Sequence, residues 1–445
     1  MHPGRRCSLL MGAVASALAV GVVGSNSAPL RSETTRATAP SLFVASNGSD
    51  AGSCQSKRTP CATFNRAYAV AGPGQIVEVA SGAYTQQHLG ARGGRRGPNV
   101  VFRPARGARV VLGGLTFRGT DFVTVRGMET TYHSVGANSR NQHGIFVGRG
   151  SSYVRLENMD AGSVDSWFAD HLTVRGGDYG PCNAVAFNQS NVCGNNKQDV
   201  STNVVIDGAT FHDLRMDRSC LQSNADCHWE AMYINGGVNV TVRNSRFYNN
   251  TLYNIFVTIS GPDAGRIGHK NLLIENNWFA TPWRDDVNRP ARPTGISLAW
   301  CQNSPQGYSD VLVRFNSFSP NTGIELDGNR SCVFRNVRVV GNLLQYPGSC
   351  ASNVAYAYNV WSTTYRRGRC SSTDRTGSQS FPYRNQIVGA GLDFRLIQAR
   401  RTIADDFVPT SAPGGCPRRD KDGQRRPLQR RCDAGADERV SPRGR

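Results

Sequence analysis

The sequence predicts an all-β protein, a right-handed parallel β-helix. Three observations carry that reading: a short apolar strand that recurs along the chain, a second, alternating strand that follows most copies, and a composition suited to many brief strands. Gly numbers 48 of 445 residues, and Asn, Ser and Thr are plentiful between short runs of Val, Ile, Leu and Phe. Such a chain is built from tight turns and short strands, which argues against a stack of helical domains. Charged residues make up only 19%, which argues against general disorder.

Residues 1–28 read as an export signal. Arg5 and Arg6 form a positive start, Leu9 to Val23 an apolar run, and Gly24 to Ala28 a small-residue stretch suited to cleavage. The run is short for a spanning helix, no later stretch is long enough to cross a bilayer, and Cys7 does not sit where a lipid-anchored cysteine would. Residues 29–41 follow as a linker. Leu42-Phe43-Val44 then begins a strand, and Thr63 to Ala71 reads as an amphipathic helix ended by Gly72-Pro73-Gly74. Ile76 to Val79 starts the first coil. A helix laid over the open end of a β-helix would shield strand edges that could otherwise pair with other chains.

The repeats occupy the body of a domain assigned to residues 42–400. The first strand type recurs at Gly144 to Val147, Ala184 to Phe187, Ala231 to Ile234, Asn254 to Val257, Gly295 to Leu298 and Gly323 to Leu326. The second appears as Asn239 to Phe247, Asn271 to Phe279, Asp310 to Phe318 and Asn336 to Leu344, and less clearly in earlier copies. Each second strand ends near Asn or Gly and resumes with an aromatic residue or Leu. Asn and Gly tolerate the left-handed backbone of a sharp corner, and stacked Asn side chains at successive corners could bond one another up the solenoid. Variable spacing between copies implies loops inserted at fixed corners. Two strands per repeat do not supply the four-stranded blades of a propeller. Residues 401–445 form a basic C-terminal segment in which the repeat has faded.

Leaving Cys7 with the signal gives twelve cysteines, an even number in a chain bound for an oxidising compartment. Their spacing invites sequential pairing: Cys54 with Cys61, Cys182 with Cys193, Cys220 with Cys227, Cys301 with Cys332, Cys350 with Cys370, and Cys416 with Cys432. Connectivity is not fixed by spacing, but no C-x-x-C pair favours the rival reading of metal clusters.

The net charge of +19 comes almost wholly from Arg. A basic surface attracts anionic polymers such as acidic polysaccharide or a cell-wall polymer. The Arg-rich stretches are dispersed and densest in the tail, which speaks against a dedicated nucleic-acid site. Alternation along the first strand type sends Phe146, Tyr233, Asn235, Phe256, Thr258, Ser297, Glu325 and Asp327 to one outer face. Phe146, Tyr233, Asn235 and Phe256 are candidates for contact with sugar rings. Glu325 and Asp327, roughly 6.6 Å apart along one strand, could share a Ca²⁺ or act as acid and base; equally, Asp327-Gly328-Asn329 reads as a turn. His228, between Asp226 and Glu230, is a candidate general base. Glu230 shares parity with inward Met232, so it could instead lie at a corner. Arg284, in Trp283-Arg284-Asp285-Asp286, could neutralise a uronate carboxylate, with the two Asp residues as further Ca²⁺ ligands.

The segments Phe43 to Asp50, Pro60 to Phe64 and Ile76 to Tyr84 (IVEVASGAY) resemble the N-terminal cap and first coil of the pectate-lyase-like superfamily of secreted bacterial β-helix proteins. Asp420-x-x-Gly423, Arg426-Pro427 and Cys432-Asp433-x-Gly435-Ala436-x-Glu438 resemble the C-terminal segment described as choice-of-anchor. The resemblance spans nearly the whole mature chain and implies the β-helix fold. That scaffold carries lyases, hydrolases, esterases, epimerases and adhesins alike. The Asn-Thr-Asp, Asp-Asp and Gly-His-Gly series of polygalacturonases is absent; Gly268-His269-Lys270 lacks the second Gly. The expectation is a secreted, monomeric protein that binds or cleaves acidic polysaccharide, as a lyase or glycoside hydrolase, with a non-catalytic extracellular binding protein as the alternative.

Overall fold

Short strands with an apolar residue at every second position cannot bury that face alone, and here they do so by stacking in parallel. The computed structural model describes residues 39–131, 144–180, 182–183, 196–215, 230–248, 250, 253–279, 294–302, 304–318, 322–326, 332–344, 346–347, 350–362, 369–377, 408–409, 416–418 and 431–432. The expected signal and most of the expected linker lie outside them, as does Ala184 to Phe187. Three parallel sheets wind around one core. Among the described residues sheet I has twelve strands, from Leu42–Val44 to Val354–Ala357. Sheet II has ten, from Gln87–Leu89 to Tyr346–Pro347, and sheet III twelve, from Gly82–Tyr84 to Arg375–Gly377. Each coil runs from sheet II to sheet I to sheet III. The one antiparallel strand pair described, Val408–Pro409 with Arg431–Cys432, lies in the C-terminal segment.

A coil therefore holds three strands, where the sequence suggested two. The second strand type breaks at its Asn or Gly: Gly237–Arg243 belongs to sheet I and Arg246–Tyr248 to sheet III. The break is a left-handed residue, φ 53° at Asn244 and 54° at Asn276, with Gly208 and Gly341 in the same role. The aromatic residue after the break points inward. Tyr179, Phe211, Phe247, Phe279 and Phe318 stack in one file, with ring centroids 5.2, 5.0, 5.1 and 4.7 Å apart. Those steps are close to the spacing of adjacent strands, so each coil adds one ring to a continuous core.

Two sheet II strands carry no apolar signature. Val164–Trp167 (VDSW) and Asn196–Asp199 (NKQD) turn Ser166 and Gln198 inward, each 1% exposed. Ser166 Oγ donates to Gln198 Oε1 at 2.6 Å and lies 2.9 Å from Ser201 Oγ. Polar groups satisfied this way stand in for a hydrophobic layer. Asn196–Asp199 is the sheet II strand of a coil in which Ala184 to Phe187 had been expected to supply it.

The N-terminal cap matches its expectation closely. Thr63 caps helix Phe64–Val70, its hydroxyl accepting from the Arg66 backbone N–H at 3.1 Å. Asp50 ties the turn before it through Ala62 N, Thr63 N and Thr63 Oγ1. Phe64 stacks on Phe102 at 4.9 Å, which seats the helix against the first coils. Three expected disulfides are present: Cys54–Cys61, Cys301–Cys332 and Cys350–Cys370. Cys416 is disulfide-bonded. Cys193, Cys220 and Cys227 lie outside the described residues, as do the side chains of Cys182 and Cys432.

Candidate functional site

The strands of sheet II bring residues far apart in sequence into one column. Parallel register places Phe146 beside Asp165, Tyr233 beside Phe256, Phe256 beside Ser297, and Ser297 beside Glu325. Asn235 pairs with Thr258 one pleat further on. This is the outer face expected from alternation. It is not uniformly open: Phe146, Tyr233, Asn235 and Glu325 are partly exposed, whereas Phe256, Thr258 and Ser297 are buried, at 3%, 2% and 0%. The Phe256 ring stacks on Tyr253 at 4.7 Å, which occupies one of its faces.

Asn235 is committed to the protein itself. Its Oδ1 accepts from Ser260 N at 2.9 Å and its amide donates to Ser260 O at 3.1 Å, fixing the turn into helix Gly261–Ile267. Tyr233 joins the same network through Thr258 Oγ1 at 3.0 Å and Ser260 Oγ at 3.2 Å. Glu230 is buried at 1%, directly before strand Met232–Asn235. That is the corner position its parity suggested, and it is not a solvent-facing one.

Glu325 lies 3.5 Å from Ser297 Oγ. Among the described residues no group of three or more His, Cys, Asp or Glu could hold a metal ion. His228, Arg284 and Asp327 lie outside the described residues.

His269, the residue of the partial Gly-His motif, is inside the solenoid. It is 1% exposed, stacks on Tyr308 at 5.2 Å, and its Nε2 lies 3.0 Å from Gly236 N and 2.8 Å from Thr258 O. Burial holds it neutral, lowering its pKa to about 4 despite the backbone contacts. It has no route to a substrate. His212, on sheet III, has the opposite character. Burial alone would lower its pKa, but Asp178 at 3.0 Å and Asp213 at 2.6 Å raise it to about 9. With Tyr248 stacked at 4.9 Å, it is a charged clamp between coils.

Two features of sheet I escaped the sequence reading. The first is a column of charges of alternating sign: Arg126, Glu157, Arg175, Asp207, Arg243, Glu275 and Arg314 on seven successive coils. Arg243–Asp207 at 2.9 Å and Arg314–Glu275 at 2.7 Å are closed ion pairs. Charge here is neutralised within the sheet, which makes this column a poor anion-binding surface. The second is a file of rings, Phe122, Tyr153 and His171, stacked at 4.4 and 4.3 Å. Tyr153 is 41% exposed, but stacking along the solenoid axis occupies the ring faces and leaves only edges to solvent. A sugar ring stacks on a face, so this file is structural.

The sheet II to sheet I corner presents a different arrangement. Trp167 and Trp300 are the most exposed large apolar side chains among the described residues, at 47% and 51%. Arg149 sits 4.4 Å over the ring of neighbouring Phe168.

No protein-family model matches the chain, and no curated protein matches it. Several solved structures do. PfbA, a surface adhesin of Streptococcus pneumoniae, aligns with a TM-score of 0.47 at 12% identity, over 65% of this chain and 78% of that one. XylC in complex with xylose aligns at 0.49 and 10%, over 90% and 98% of the two chains. The pectate lyase Pel9A aligns at 0.40 and 14%, over 90% and 96%.

Proposed function

We propose that this protein is a secreted β-helix that binds an acidic polysaccharide along the outer face of sheet II. The observation that supports this most is the column running through Phe146, Tyr233 and Glu325. Strands about 4.8 Å apart repeat at a step similar to that of a sugar chain, so a polymer lying along the axis meets equivalent positions coil after coil. The net charge of +19 favours an anionic polymer. Three disulfides among the described residues fit an oxidising, extracytoplasmic compartment.

A second reading, polysaccharide cleavage, is favoured by the sequence alone, which offers His228 between Asp226 and Glu230 and Arg284 beside Asp285 and Asp286. In a lyase reaction Arg284 would neutralise the uronate carboxylate and His228 would remove the C5 proton, the C4–C5 double bond forming as the C4–O bond breaks and the departing oxygen takes a proton from water. Ca²⁺ beside Glu325 and Asp327 is the alternative counter-charge.

The test is incubation of purified protein with polygalacturonate, alginate and a neutral glucan, with and without Ca²⁺. Calorimetry reads binding and ultraviolet absorbance reads unsaturated product. Binding to a uronate polymer that weakens with salt, and weakens again in Glu325→Gln or Tyr233→Ala, supports the proposal. Failure to bind any of the polymers overturns it. Product that persists in His228→Ala removes the proposed base while leaving the binding reading intact.

A further inference from the structure

We infer that Trp167 and Trp300 are a pair of sugar-stacking residues that hold an anionic polysaccharide along the sheet II to sheet I corner. The inference rests on the polysaccharide reading and adds a contact line separate from the sheet II column.

The two indoles belong to one edge of the solenoid. Trp167 ends strand Val164–Trp167 and pairs with Asp199, which pairs with Asn235, which pairs with Thr258. The corner residues just beyond are linked in turn: Phe168 N to Asp199 O, Val200 N to Asn235 O, Gly236 N to Thr258 O, and Ile259 N to Trp300 O. Trp300 thus occupies the same corner as Phe168, four coils further along. The separation is roughly 19 Å at the spacing of adjacent strands, the span of a short oligosaccharide. Helix Gly261–Ile267 packs on the coils between them, its Ala264 against Gly236.

Unlike the Phe122–Tyr153–His171 file, these rings stack face to face on no other ring among the described residues; Phe168 is tilted by 52° against Trp167 at 5.8 Å. An exposed indole is a flat apolar surface suited to the C–H face of a pyranose. Exposed Arg149 lies over Phe168, the neighbour of Trp167, and supplies a cation that a carboxylated sugar would meet; Arg266 on the intervening helix is exposed at 72% but pairs with Asp263 at 3.4 Å.

Trp300 has φ 58°, left-handed like Phe168 at 51°, Val200 at 48° and Gly236 at 66° at the same corner of other coils, so the conformation belongs to the fold and glycine at position 300 would adopt it without strain.

Three variants, Trp167→Ala, Trp300→Gly and the double, would be titrated with polygalacturonate and alginate as polymers and as trimers, following intrinsic fluorescence and calorimetry. Tyr233→Ala serves as the sheet II comparison. The expected result is about tenfold weaker polymer binding in each single variant, with the double variant losing the polymer's advantage over the trimer. Trp300→Gly should melt no lower than the wild type. Wild-type affinity in all three Trp variants overturns the inference while leaving the sheet II proposal standing. Absence of binding by the wild-type protein overturns both.

Discussion

The Asn342 side-chain oxygen accepts two hydrogen bonds from Asn316, one from its backbone N–H at 2.9 Å and one from its side-chain amide at 3.0 Å. Both residues are fully buried. The pattern repeats from Asn277 to Asn316 and from Asn342 to Asn359, and it ends on Asp374, which accepts from Asn359 N, Trp361 Nε1 and Ser371 N. Each amide spends its donors on the fold as well: Asn316 Nδ2 also bonds Ile274 O at 3.0 Å. Each of these coils thereby satisfies the corner of the one before it.

Removing one rung strands the donors and acceptors on either side, away from water. Asn316→Ala is expected to destabilise the protein by about 2–4 kcal/mol, read as a fall in the urea midpoint. A change below about 0.5 kcal/mol would show that the ladder is ornamental to stability.

Stability should fall at both ends of the pH range, for two different histidines. His212 binds its proton more tightly in the fold, about 9 against an ordinary 6.5. Its contribution is therefore complete below about pH 6.5 and is lost as pH rises through about 9. His269 is held neutral, at about 4. Its contribution is complete above about pH 6.5 and is lost as pH falls through about 4. Thermal melts of the wild type and of His212→Gln between pH 4 and 10 check the assignment. The variant should lose the alkaline limb and keep the acid one.

The buried Ser166–Gln198 pair predicts a strong coupling. Gln198→Leu alone leaves the Ser166 hydroxyl with a lost partner and should cost about 1–3 kcal/mol. Adding Ser166→Ala should recover part of that cost, since two apolar groups of similar shape need no partner. Additive effects in the double-mutant cycle would sink the idea that the pair acts as a unit.

Charge alternation on sheet I predicts a rescue. Glu275→Arg places like charges beside Arg243 and Arg314 and should lower the melting temperature. Adding Arg314→Glu restores an opposite neighbour on that side and should return part of the loss. Both side chains of this pair are largely shielded, at 15% and 9% exposure, so the effect should survive moderate salt.

The Cys301–Cys332 disulfide spans 31 residues and ties the corner after Thr294–Leu298 to the start of the next coil's sheet I strand. Replacing both cysteines with serine is expected to cost about 2–5 kcal/mol. An unchanged denaturant midpoint in the double variant would contradict it.

Much of this was legible from residues alone. Met232, Ile255, Ile296 and Ile324 announced sheet II because inward positions in those coils are apolar. Asn239 to Phe247 showed where a strand must bend, because Asn tolerates a left-handed backbone. What escaped notice was the two successive coils in which Ser166 and Gln198 face inward: a satisfied polar pair leaves no hydrophobic period to read. The alternating charges were visible one at a time, in Glu157, Arg175 and Asp207, but their opposition exists only once a register is known.

The sequence by itself determined that this chain winds into a parallel solenoid, since alternating apolar strands ended by Asn or Gly have few other ways to bury themselves. Only the tertiary structure decided which outward residues are available. Phe256 and Tyr233 sit side by side with the same parity, yet one is closed off and the other is partly open. Trp167 and Trp300, more than a hundred residues apart, share an edge because four stacked coils put them there. Alternation fixes direction, and stacking and coverage fix exposure; the second depends on contacts that no local pattern encodes.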